Sequence, residues 1–173
     1  GAVIKHNPSQ AKAYLGRSRA LEMIGSHAQA LLDIDQAIKL GDKTSLADAL
    51  LQKTAVLKSL NRGAECPPLY EQLIGSKGLG VGPSDILNLR EQRAALYLRL
   101  KKPVLALLDL EVCGAARPGS LDIFLSKGKA YALLNNPQKE LEAYSNGIKQ
   151  DHFTRSLNGD RLMADLLSNG MVC

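Results

Sequence analysis

Tryptophan is absent from this chain, and aromatic residues make up only 4% of it, so its interior must be built from Leu, Ala, Ile and Val. Cysteine is sparse and odd in number, at Cys66, Cys113 and Cys173. No disulfide framework can be drawn from such a set, and a reducing compartment, cytoplasm or nucleus, is expected. No apolar run approaches the roughly 18 residues that a membrane-spanning helix needs. The opening GAVIKHNPSQ has no hydrophobic signal core. The net charge is +5, yet Lys and Arg are scattered and run at most in pairs. Such diffuse charge fits solvated surface better than a nucleic-acid footprint.

Chemistry-bearing clusters are also missing. His6, His27 and His152 lie far apart in sequence, and none has a partner at metal-ligand spacing, so no metal and no cofactor is expected. His27 is read as a packing residue at a helix junction, and Cys66 and Cys113 as small core residues. Asp33, Asp35 and Glu111 read as exposed helix charges. No nucleophile–base or paired-carboxylate arrangement emerges, and the chain is not expected to be an enzyme.

What remains is an Ala/Leu-rich sequence with charges spaced at helical period, which predicts an all-α fold. Helices are expected near 9–24, 27–40, 46–60, 64–74, 85–100, 103–116, 121–134 and 137–150, with a short closing helix at 161–167. Gly25, Asn61-Arg62-Gly63, Lys101-Lys102 and Asn135-Asn136 are the breaks. Ser26 with Gln29 forms the capping-box pattern for the second helix, and Thr44 or Ser45, Ser84 and Ser120 are expected to cap later ones. Pro67-Pro68, Pro103 and Pro137 sit where a helix begins and an N–H is dispensable. The stretch 75–83, GSKGLGVGP, is read as a Gly-rich insertion between helices; it lacks the order of a phosphate-binding loop.

Overlaying the helix pairs on their breaks gives a unit of about 34 residues with two helices and a short turn. A small residue stands in the middle of each first helix: Ser18, Thr54, Ala94 and Gly128. Early in each second helix come Ala30, Cys66, Ala106 and Glu140. The bulky residues four places later are Ile34, Tyr70, Leu110 and Tyr144. Three places after that, where the pattern has a small residue, stand Ala37, Leu73, Cys113 and Gly147. Tyr14 and Phe124 hold the first-helix aromatic place, and Pro118 closes the third unit. This pattern resembles the tetratricopeptide repeat family. It departs from it at Glu140, at the large Leu73 and at Arg90, which replaces an aromatic. The domain plan that follows is a single array: a tail of a preceding element at 1–8, repeats at 11–44 and 45–74, the insertion at 75–83, repeats at 84–119 and 120–152, and a closing helix and tail at 153–173. Val3 to Pro8 fit the last turn of a preceding unit, as in a segment cut from a longer array.

The resemblance implies a right-handed α-solenoid of antiparallel helix pairs, with a concave groove lined by the first helices. The residues it places there are Lys12, Leu15, Arg19 and Glu22; Asp48, Leu51, Ala55 and Lys58; Asn88, Glu91, Ala95, Leu98 and Arg99; and Asp122, Leu125, Lys129 and Ala132. Spacings of three and four keep each set on one helical face. A Leu/Ala floor among Arg19, Lys58, Arg99 and Lys129 would suit a protein or peptide with acidic and apolar side chains. The function expected is therefore an interaction module or scaffold, part of a larger protein.

Alternatives differ by class. Some members of the family grip the C-terminal carboxylate of heat-shock chaperones with basic and amide residues. The matching places here are Leu15 and Arg19, Gln52, then Asn88 and Gln92, or, one unit on, Leu51 and Ala55, Gln92, then Asp122 and Ser126. Only Arg19 is basic, which disfavours a chaperone clamp. An RNA-binding helical repeat resembling the pentatricopeptide kind is disfavoured by Leu15, Leu51, Ala95 and Leu125 where base-reading polar residues would stand. A regulatory or docking segment of a multidomain enzyme is a third reading. Self-association through the open apolar ends of an array is a fourth.

Overall fold

The computed structural model describes residues 8–150, apart from 42 and 77. Among them the chain is all α-helical, without a strand. The elements are α1 (Pro8–Met23), α2 (His27–Leu40), α3 (Lys43–Ser59), a 3-10 turn (Gly63–Glu65), α4 (Pro67–Gly75), α5 (Pro83–Arg99), α6 (Pro103–Ala116), α7 (Leu121–Leu133) and α8 (137–150). Helices adjacent in sequence pack together: α1 on α2, α2 on α3, α3 on α4, and α6 on α7. No helix of the described residues is long and apolar enough to cross a membrane. The expected tail at 1–7 and closing helix at 161–167 lie outside the described residues.

Four turns share one backbone solution. Gly25, Asn61, Lys101 and Asn135 all adopt positive φ, at 77°, 61°, 54° and 53°. The N–H of the next residue reaches five back in each: Ser26 to Leu21 O, Arg62 to Leu57 O, Lys102 to Tyr97 O and Asn136 to Tyr131 O, the first three at 2.8 Å and the last at 3.0 Å. The N–H of the turn residue itself bonds three back, to Glu22, Lys58, Leu98 and Ala132. This paired closure is the Schellman motif, which satisfies carbonyls that a helix end leaves open. Each break read from the sequence is thus a left-handed cap. Helix starts follow a different rule. Pro67, Pro83, Pro103 and the residue at 137 occupy first helical positions, where no N–H is required.

Side-chain capping, by contrast, does not operate where the sequence suggested it. Ser26 and Ser120 stand at N-caps without a side-chain cap hydrogen bond, so the Ser26/Gln29 capping box is not formed. Helix α5 begins at Pro83, ahead of the Ser84 cap, with Ile86 N–H bonded to Gly82 O. Helix α3 begins at Lys43, three residues before the expected start.

The chain divides into two compact units, one ending at Leu96 and the other beginning at Tyr97. The boundary falls within the last turn of α5. In the first unit Ala30, Ile34, Ala37, Leu50, Val56, Leu57, Cys66, Tyr70 and Leu73 are fully buried or nearly so. Burying a side chain the size of Ile34 or Leu57 contributes about 1.5–3 kcal/mol. In the second unit the core is Ala106, Leu110, Cys113, Ile123, Ala130 and Ala143. The small mid-helix residues Ser18, Thr54, Ala94 and Gly128 are all buried. Ser18 and Thr54 each turn a hydroxyl back to the carbonyl three residues earlier, Leu15 O at 2.8 Å and Leu51 O at 2.7 Å. Each buried hydroxyl proton is thereby satisfied within its own helix.

Close approach in the second unit depends on two glycines. A Cβ at Gly128 would stand 2.8 Å from Cδ1 of Tyr144, and one at Gly147 would stand 3.2 Å from Cβ of Phe124. Helix α7 thus offers a bare backbone to the Tyr144 ring, and α8 offers one to the side chains of Leu121 and Phe124. On the second helices Leu32, Val104, Leu108, Leu141 and Ile148 are all largely exposed.

Candidate binding face

The first helices of the first unit are tied to one another by side chains exactly one unit-length apart in sequence. Gln52 Nε2 donates to Ser18 Oγ at 2.7 Å, joining α3 to α1, and Lys58 Nζ donates to Gln92 Oε1 at 3.2 Å, joining α3 to α5. Tyr70 OH from α4 donates to the same Gln92 oxygen at 3.1 Å, and Lys58 Nζ lies 5.3 Å from the centroid of the Tyr70 ring. Lys58 is therefore half-buried and its charge is engaged.

Most of the residues assigned to a groove reach solvent in this unit. Lys12, Arg19, Asp48, Leu51, Ala55, Asn88 and Ala95 are exposed, and Glu22 and Glu91 are half-buried. Leu15 departs from the expectation. It is 4% exposed and belongs to the core, because its helical position turns it inward beside Ala11 and Ser18. In the second unit Arg99, Asp122, Leu125, Lys129 and Ala132 are exposed and Leu98 is half-buried. At the places tested for a chaperone clamp, Gln52 is buried and its amide nitrogen is hydrogen-bonded to Ser18 within the fold.

The first unit gathers part of this set into a pocket of about 490 Å³. Helix α3 supplies Ala47, Asp48 and Leu51, and α5 supplies Asp85, Asn88, Leu89 and Gln92. Spacings of three, four and seven put each trio or quartet on one helical face. The third wall is Leu79, Gly80 and Val81 from the glycine-rich stretch, which the sequence reading treated as a plain insertion. Leu79 is buried and Val81 half-buried, so the stretch folds back onto the helices. Gly78 and Gly80 take φ of +93° and +73°, a region that side chains disfavour, and these two bends present Leu79 inward. The pocket therefore joins three residues assigned to the groove in advance, Asp48, Leu51 and Asn88, to seven that were not, of which Gln92 had been named only as a place for a chaperone clamp. The missed signal is two apolar residues alternating with glycines in GSKGLGVGP, a pattern a solvated linker does not need.

Several charged groups elsewhere are paired within the fold. Arg17 donates Nε to Asp33 Oδ2 and Nη2 to Asp33 Oδ1, both at 2.6 Å. Asp33, expected at the surface, is buried, and the guanidinium hydrogen bonds hold its carboxyl below the usual carboxylate range. Lys53 pairs with Asp35 at 2.7 Å and Lys127 with Glu111 at 3.0 Å. Burial pushes the Cys66 thiol above its ordinary value, and its Sγ contacts Thr54 O at 3.7 Å. A thiol raised in this way is a poor nucleophile. Among the described residues no group of three or more His, Cys, Asp or Glu is arranged to hold a metal ion.

No protein-family model matches the sequence, and no curated protein matches it. Among solved structures, one described as "MamA RS-1 ArsTM double mutant" is similar, with a TM-score of 0.66 and 21% identity over 82% of this chain and 75% of that one. The likeness supports a helical-repeat fold of the tetratricopeptide kind, an all-α solenoid of helix pairs.

Proposed function

We propose that this chain is a docking module that binds a segment of a partner protein on the exposed face of its first helices. The observation that carries the reading is the pocket of about 490 Å³ on α3 and α5, open to solvent, floored by apolar side chains and rimmed by polar ones. Ligand pockets commonly fall between about 300 and 1,000 Å³ and share that make-up. Helical-repeat architecture supports the same reading, since each first helix presents a row of side chains at regular spacing to an extended or helical peptide. Exposed Leu51, Ala55 and Ala95 favour a polypeptide over RNA, whose bases call for polar and stacking groups.

A random-peptide display selection on the immobilised chain tests this. Peptides recovered should lose binding to Ala55→Arg, which crowds the exposed face of α3, and keep it for Leu32→Arg, on the outer surface of α2. Peptides that respond to Leu32→Arg alone would move the binding surface to the second helices.

A further inference from the structure

The pocket on α3, α5 and the glycine-rich stretch has a charge of its own. Among the described residues its lining includes two carboxylates, Asp48 and Asp85, and no ammonium or guanidinium group. Asp48 and Asp85 are both exposed, at the rim, while Ala47, Leu79 and Leu89 are buried beneath them. Among the described residues, Lys58 and Lys43 come near the region without lining it. Lys58 directs its ammonium to Gln92 and the Tyr70 ring, and Lys43 brings its Nζ 3.7 Å from where a Cβ of Gly78 would be. Arg19, Arg99 and Lys129, the residues that suggested an acidic partner from sequence, are not part of the pocket.

We propose that this pocket receives a bulky apolar side chain of a partner polypeptide that carries Lys or Arg beside it. The inference rests on the first-helix face being the docking surface. Leu51, Leu79, Val81 and Leu89 provide the apolar contact, and Asp48 or Asp85 takes the cation. The physical reason is desolvation. A partner laid over the pocket removes water from both carboxylates, and a buried charge without an opposite one is strongly disfavoured. An acidic neighbour would add like-charge repulsion, which costs specificity before it costs apolar contact. The glycine-rich stretch sets the depth, because Leu79 closes the side that two helices alone would leave open.

The test is the same display selection, extended to Asp48→Lys/Asp85→Lys and to the milder Asp48→Asn/Asp85→Asn. Peptides enriched on the native chain are expected to share an apolar residue with Lys or Arg adjacent. By fluorescence anisotropy, such a peptide should bind the lysine double variant at least about tenfold more weakly, and swapping its basic residues for Glu should restore binding to that variant. The asparagine variant, which stays closest to the native surface, should fall between. Enrichment of acidic neighbours, or equal affinity for native and both double variants, overturns the inference. If Ala55→Arg abolishes binding while the aspartate variants do not alter it, the charge assignment fails and the docking face stands. If no peptide responds to either, or none is enriched over the bare support, both fall.

Discussion

Arg17 and Asp33 face each other across α1 and α2 through two hydrogen bonds of 2.6 Å, with the carboxylate buried and the guanidinium largely in solvent. The pair fixes how the first two helices meet. Its carboxyl titrates below the ordinary range because Arg17 hydrogen-bonds the charged form. A depressed native value stabilises the fold above the unfolded carboxylate value, and the contribution is lost as pH falls through the native one. Stability should therefore be flat near neutral pH and decline below about pH 4. Asp33→Asn should lower stability at neutral pH and flatten the acid decline, read by urea unfolding across pH. An unchanged acid limb would show that other carboxylates govern it.

Gly128 is predicted to reject even a methyl group. Replacing a mid-helix Gly by Ala ordinarily gains about 0.5–1 kcal/mol. Here the added Cβ meets the Tyr144 ring, and overpacking costs about 1–3 kcal/mol. Gly128→Ala should thus be destabilising on balance, and the double variant with Tyr144→Ala should show a favourable coupling in a double-mutant cycle. Additive effects would mean the ring moves aside freely.

Lys101 is the least suited of the four turn residues to its backbone. A positive φ costs an ordinary L-residue about 1–2 kcal/mol, while Gly is free of that penalty and Asn is partly relieved of it. Lys101→Gly should raise stability by about 0.5–1 kcal/mol after the flexibility that Gly adds to the unfolded chain. Asn61→Gly and Asn135→Gly should gain less. Thermal or denaturant midpoints decide the order.

Cys66 and Cys113 are buried, and the Cys66 thiol is raised by burial. Both should resist alkylation in the native protein and react on unfolding, with Cys66 gaining little reactivity as pH rises to 9. Rapid labelling of Cys66 or Cys113 at neutral pH, located by peptide mapping, would show that α4 or α6 opens locally.

Among the described residues of the glycine-rich stretch, Leu79 is the one side chain that is buried. Leu79→Ala should cost about 2 kcal/mol, at the low end for core truncations, and increase proteolytic cutting around Gly80. Equal protease resistance would mean the stretch is held by its backbone alone.

The helices and their ends were legible because each end is a local event. Gly25, Asn61 and Asn135 tolerate positive φ, and a Schellman turn needs nothing from elsewhere in the chain. The small residues Ser18, Thr54 and Ala94 were legible because a period of about 34 exposes them by alignment. Asp33 was not, since its partner lies sixteen residues away on another helix and only the folded pair explains a buried carboxylate. Leu15 was placed by repeat position, which says nothing about how far inward that helix turns. The pocket was half visible: Asp48, Leu51 and Asn88 follow from periodicity. Leu79 and Val81 enter through two glycine bends that no periodicity describes.

The four left-handed turns carry a consequence for engineering. Each is closed by its own main chain, so splicing a foreign helix hairpin at Gly25-Ser26 or Asn61-Arg62 leaves the hydrogen bonds of the junction intact. Lengthening or shortening the protein by whole hairpins then becomes a matter of matching neighbouring side chains, with the joint itself serving as a standard fitting.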